Sequence, residues 1–165
     1  MTPALRIGLF AAAVALITDQ ATKLWLLHVF ELGRRGIVEV GPFFNLVLAW
    51  NTGISYGWFQ TDSAGGQWLL LAFKVVAVTA LAIWMARSHT RLATISLGLI
   101  IGGAIGNAID RFAYGAVVDF VLLHLRIGGN LYNWYVFNIA DVAIVAGVIG
   151  LLYDTFRGQP AAKAP

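Results

Sequence analysis

Cysteine is missing from this 165-residue chain. Its absence excludes disulfides, thiolate metal sites and thiol nucleophiles together. Charge is scarce as well: Asp, Glu, Lys and Arg make up 12% of residues, against 59% hydrophobic. Soluble domains carry roughly 25% charged residues, so half the ionic surface a soluble fold would need is not there. The three histidines, His28, His89 and His124, stand far apart and offer no zinc-ligand spacing. The eleven Lys and Arg are scattered, and the net charge is only +3. No basic face for nucleic acid forms, despite an isoelectric point near 9.5. With a mean hydropathy of +0.78, the chain reads as an integral membrane protein.

Four apolar runs approach the roughly 20 residues that cross a bilayer as a helix. They cover about residues 7–30, 68–85, 92–109 and 133–153. Outer segments fill about 31–67 and 110–132, and a disordered tail is expected over 158–165, all within one domain. Arg6 before the apolar run from Ile7 to Ile17 also fits a signal peptide, but Thr18 to Lys23 carries no small-x-small cleavage pattern. With the termini cytosolic, that side holds Arg6, Arg87, Arg91, Arg157 and Lys163, and the other holds Arg34, Arg35, Arg111 and Arg126. Five against four leans towards cytosolic termini.

The outer segments are too apolar for free loops. Ile37–Val40, Gly41-Pro42 and Phe43–Trp50 form a strand–turn–strand pattern. Val117–Phe120 and Leu123–Ile127 are strand-like too. A small sheet with an amphipathic outer segment is therefore expected at the membrane surface, with Trp50, Trp58, Trp68 and Trp134 near the interface.

Polar residues are so few that their positions carry the information. A charge at the bilayer centre costs at least ~2.5–3.5 kcal/mol, so it persists where it pairs, faces the bundle interior or does chemistry. Asp19, Asp110 and Asp141 lie in or at the ends of spans, and Asp119 sits in an apolar strand-like run. Asn107 and Asp110, and Asn138 and Asp141, each stand three apart and share a helix face. Asp141 is expected about two turns into the fourth span. Asn51 joins the same outer side. Asp19 and Lys23, four apart, also fit a buried ion pair, and Asp110-Arg111 also fits a solvated cap at a span end. Gly102-x-x-x-Gly106 fits close helix packing, and Lys74 either snorkels or pairs with an aspartate.

Two carboxylates brought together in a low dielectric do not both ionise; one holds a proton while the other stays a base. Such a pair polarises a water, delivers it to a carbonyl and protonates the departing amine. Asp119 and Asp141, on separate elements at the outer interface, are the expected catalytic pair.

The blocks Asp19–Lys23, Asn51–Gly57, Gly102–Arg111, Val118–Phe120 and Phe137–Asp141 occur in that order along a four-span chain. Together they resemble the lipoprotein signal peptidase family, signal peptidase II, over about residues 7–155. Ile54 and Tyr56 are bulkier than the small residues that family usually carries after Asn-x-Gly. The resemblance implies an aspartic endopeptidase of the bacterial inner membrane, with cytosolic termini and its site near the periplasmic face. It implies cleavage of a prolipoprotein just before a diacylglyceryl-modified cysteine. The implied fold is an all-α bundle of four transmembrane helices with a small outer β-sheet. By motif position, Asp119 and Asp141 match the catalytic pair. Asn51, Gly53, Asn107, Arg111 and Asn138 match positions around the substrate, and Asp19, Lys23 and Asp110 match supporting ones. The expected partners are the prolipoprotein and membrane lipid, not nucleic acid; the expected state is a monomer. No metal or organic cofactor is expected.

Two other classes stay open at this level. A small proton- or solute-translocating protein would use Asp19, Asp110 and Asp141 as a relay, although the carboxylates crowd towards one face. A non-catalytic assembly subunit would use the small-residue motif for partner helices and would tolerate Asp119→Asn and Asp141→Asn.

Overall fold

The computed structural model describes residues 2–53 and 64–158. Five helices and four strands follow in the order α1 (Pro3–His28), α2 (Leu32–Arg35), β1 (Val38–Gly41), β2 (Phe44–Asn51), α3 (Ala64–Arg87), α4 (Arg91–Tyr114), β3 (Val117–Ile127), β4 (Asn130–Phe137) and α5 (Ile139–Gly158). Ile54, Tyr56, Gly57, Trp58 and the tail lie outside the described residues, as do the side chains of Trp68 and Lys74.

Helix α4 is the central element, packed against α1, α5 and α3. It has few bulky residues where it meets its neighbours. A Cβ on Gly98 or Gly102 would collide with the backbone carbonyls of Gly8 or Ala12 in α1. A Cβ on Gly103 would stand 2.5 Å from the Ala140 carbonyl of α5. The small-residue motif is therefore a packing device, which lets helix backbones approach where side chains would hold them apart.

Charged and amide side chains are gathered inside the molecule, and many large apolar ones face outward. Asp19, Lys23, Thr94, Ser96, Asn107, Asp110 and Asn138 are buried, while Phe10, Ile17, Phe112, Ile149 and Phe156 are more than 60% exposed. That inversion suits a hydrocarbon solvent. Among the described residues, three helical stretches are long and apolar enough to cross a membrane: Pro3–His28, Arg91–Tyr114 and Ile139–Arg157. The apolar stretch Val75–Arg87 within α3 is shorter.

The expected small sheet is present, as one antiparallel meander in the order β1-β2-β3-β4. Gly128 and Gly129, at φ 57° and 85°, make the two-residue turn that joins Ile127 to Asn130. Leu26 of α1, Leu32 of α2 and Phe120 of β3 form a buried cluster that seats the sheet on the bundle.

Two boundaries differ from the sequence reading. The fourth span was expected to begin at 133, but Asn133–Phe137 are the end of β4 and the helix starts at Ile139. Aromatic and β-branched residues there pair with β3, and hydropathy alone does not separate an apolar strand from the helix that follows it. Asp141 consequently stands in the first turn of α5 rather than two turns inside it. Helix α4 also runs past 109 to Tyr114, where Gly115 takes the left-handed conformation (φ 72°) and donates its N–H to the Arg111 carbonyl at 3.0 Å. Asp110 is thus one turn inside the helix end and 1% exposed; it is no solvated cap.

Candidate active site

The site is assembled around the start of α5. Asn138 caps that helix: its Oδ1 accepts the Asp141 N–H at 2.9 Å, and Asp141 Oδ2 accepts the Asn138 N–H at 3.2 Å. This reciprocal pair is a capping box built from Asn and Asp. Because the Asn138 oxygen must face a backbone donor, its amide nitrogen points the other way, to Asp119 Oδ1 at 2.7 Å and Asn107 Oδ1 at 3.0 Å.

Asp119 reaches the same place from β3. Its second oxygen accepts from Asn51 Nδ2 at 3.0 Å, at the end of β2. The Asn51 amide is oriented in turn by Gly53, whose N–H donates to Asn51 Oδ1 at 3.1 Å. Asn107 of α4 completes the ring, donating from Nδ2 to Asp141 Oδ1 at 2.9 Å. Three asparagines thus hold two carboxylates, one each from a strand and a helix, with both oxygens of each carboxylate accepting a hydrogen bond.

Beneath them lies a charged layer. Lys23 Nζ stands 2.7 Å from Asp19 Oδ2 and 2.6 Å from Asp110 Oδ2, and donates to Asn107 Oδ1 at 3.1 Å. The expected ion pair of Asp19 and Lys23 is there, with Asp110 as a second anion. Gln20 donates to Asp110 Oδ1 at 2.8 Å and to the Gly106 carbonyl at 3.1 Å. The sequence reading assigned Gln20 no role; its signal was an amide inside an apolar span. Arg111 donates from a terminal nitrogen to the Gly53 carbonyl at 2.6 Å, and its buried Nε has no partner among the described residues.

Asp119 and Asp141 open into one cavity of about 570 Å³. Asn51, Gly53, Asn107 and Arg111 line its polar side, and Trp134, Val136, Phe137, Ile144 and Val145 line its apolar side. The aromatic end of β4, read from the sequence as membrane helix, is a wall of this cavity. Burial pushes the Asp119 carboxyl up from 3.8 to about 6; donation from Asn51 opposes the rise, the charge of Asp141 adds to it, and Asn138 and Lys23 oppose it. Among the described residues, no three His, Asp or Glu side chains converge as a metal ion requires. Of the ten candidate site residues, nine line this cavity or form the layer beneath it, and Asn138 is bonded to Asp119 and Asn107 beside them. The geometry offers a proton acceptor and a proton donor at the edge of an apolar slot.

Residues 11–157 match the family described as signal peptidase (SPase) II. The chain is 74% identical to the lipoprotein signal peptidase of Nitrobacter hamburgensis and 73% identical to that of Rhodopseudomonas palustris, in each case over 100% of both chains. It is also similar to a bacterial membrane enzyme solved by the in meso method. That likeness has a TM-score of 0.78 and 26% identity, and covers 96% of this chain and 92% of the other.

Proposed function

This chain belongs to the signal peptidase II family, and from that premise we propose how its residues carry out the family's reaction. The protein is an aspartic-type peptidase, a hydrolase that processes lipoprotein precursors. Asp119 and Asp141 are the catalytic pair. The observation that carries this reading is their convergence on one cavity from β3 and α5, tied together by Asn138 and Asn107.

The substrate is a prolipoprotein whose cysteine carries a diacylglyceryl thioether, and the bond cut lies just before that cysteine. As water adds to the scissile carbonyl, the ionised carboxylate takes one of its protons, and the protonated partner donates to the carbonyl oxygen. The resulting diol collapses, the C–N bond breaks and the amine leaves with a proton. Burial raises the Asp119 carboxyl to about 6, and the two carboxylates share the proton and titrate as a unit. Arg111 and Gly53 orient the peptide beside them, and the apolar wall of β4 and α5 keeps bulk water from the slot.

Four helices, α1, α3, α4 and α5, cross the inner membrane, with both termini in the cytosol and the sheet at the periplasmic face. The protein acts as a monomer, since one chain supplies every residue named. A second cavity of about 400 Å³, lined by Val75, Val78, Ile105, Ile109 and Phe112 between α3 and α4, takes an acyl chain of the membrane-held substrate. A lateral groove of this kind suits a substrate that never leaves the bilayer.

The test is cleavage of a diacylglyceryl-modified prolipoprotein by purified protein in detergent. Wild type is expected to release the signal peptide, and Asp119→Asn and Asp141→Asn to lose at least ~10³-fold in kcat while melting no earlier. Full activity in either folded variant removes that aspartate from the chemistry.

A further inference from the structure

The charged layer beneath the aspartate pair has a symmetry that charge compensation alone does not require. Asp19 Oδ1 accepts the backbone N–H of Ala140 at 2.9 Å, the residue just before Asp141. Asp110 Oδ2 accepts the backbone N–H of Val118 at 3.1 Å, the residue just before Asp119. The two carboxylates that hold these backbones are bridged by one ammonium, at 2.7 and 2.6 Å. The third Lys23 donor goes to Asn107, whose amide nitrogen bonds Asp141. Lys23, Asp19 and Asp110 are each no more than 1% exposed.

We propose that Lys23 is a positioning residue, the pin of a clasp that sets the distance between Asp119 and Asp141 by drawing together the backbones that carry them. The ammonium suits the task because it is a compact point charge with three donors on a long stem that crosses from α1 to α4. Asp19 sits within reach only because Gly106 lacks a side chain: a Cβ there would stand 2.6 Å from Asp19 Oδ2. A pair that shares one proton is sensitive to its spacing, and functional groups need holding within about 0.5 Å of the productive geometry. The clasp is assembled from α1, α4, β3 and α5, so no local segment fixes the spacing alone.

Lys23→Met by itself leaves two buried carboxylates uncompensated. The test therefore uses the charge-balanced triple variant Lys23→Met/Asp19→Asn/Asp110→Asn, beside Asp110→Asn, which leaves Lys23 paired with Asp19. Each is purified in detergent, and its structure, melting temperature, KM and kcat are measured. Both are expected to melt within ~5 °C of wild type and to keep KM within ~3-fold. The triple variant should lose ~100-fold in kcat and Asp110→Asn ~10-fold. The Asp119–Asp141 separation should change by more than ~0.5 Å. Wild-type turnover or an unchanged separation in either folded variant overturns the proposal, because charge balance would then be all that Lys23 supplies. The kinetic arm rests on the peptidase reading. The separation does not, so a wild type without cleavage would count against that reading and leave the structural arm to decide.

Discussion

Asp119 shows what the site costs the fold. The residue is 2% exposed, and its folded value of about 6 lies above the ordinary 3.8. The folded state therefore binds the proton more tightly than the unfolded chain does. The stability this contributes is present below about 3.8 and is lost as pH rises through about 6. That rise corresponds to ~3 kcal/mol at most. Asp119→Asn removes the titration, so its melting temperature should gain on wild type between pH 4 and pH 7 and run parallel outside that window. Thermal melts in detergent across this range check the point; a constant difference would mean that ionised Asp119 is fully compensated. Asp119 and Asp141 stood out in the sequence because a carboxylate in an apolar run demands a reason, and the structure brings both to one cavity. The capping role of Asn138 was hidden by the misplaced start of α5, although Asn138-x-x-Asp141 before an apolar run carries a capping signature.

Among the elements, α4 carries the most constraints. One face must stay glycine to meet α1, while Asn107, Asp110 and Arg111 lie near its C-terminal end. Packing and chemistry are separable here. Gly102→Leu would force α1 away from α4 through its Ala12 carbonyl, at a cost of ~1–3 kcal/mol or more. It should lower the melting temperature and leave the pH dependence of turnover as in wild type. Gly106→Ala instead presses on Asp19 and should reduce kcat for a smaller loss of stability; equal kinetic behaviour in the two would contradict that division. The strands β1 to β3 were legible from alternation and turn residues. Strand β4 was not, because Trp134–Phe137 continue directly into an apolar helix and only pairing with β3 separates the two. The convergence of Asp19 and Asp110 on Lys23 was half legible: spacing of four within α1 shows the first contact, but nothing local links positions 23 and 110.

At the scale of the whole molecule, the orientation proposed above rests on few charges, and the lack of cysteine makes it directly measurable. A single introduced thiol is the only thiol present. Tyr114, the exposed last residue of α4, and His89, exposed just before its start, lie at opposite ends of a helix whose 24 residues span ~36 Å at 1.5 Å per residue. That length exceeds the ~30 Å hydrocarbon core, so the two positions report opposite sides of the membrane. In spheroplasts, Tyr114→Cys should react with a membrane-impermeant maleimide at once, and His89→Cys only after lysis. This pattern places the sheet and the cavity of Asp119 and Asp141 at the periplasmic face, where a translocated precursor presents its cysteine. The reverse pattern would put the aspartates in the cytosol and leave the peptidase without access to its substrate.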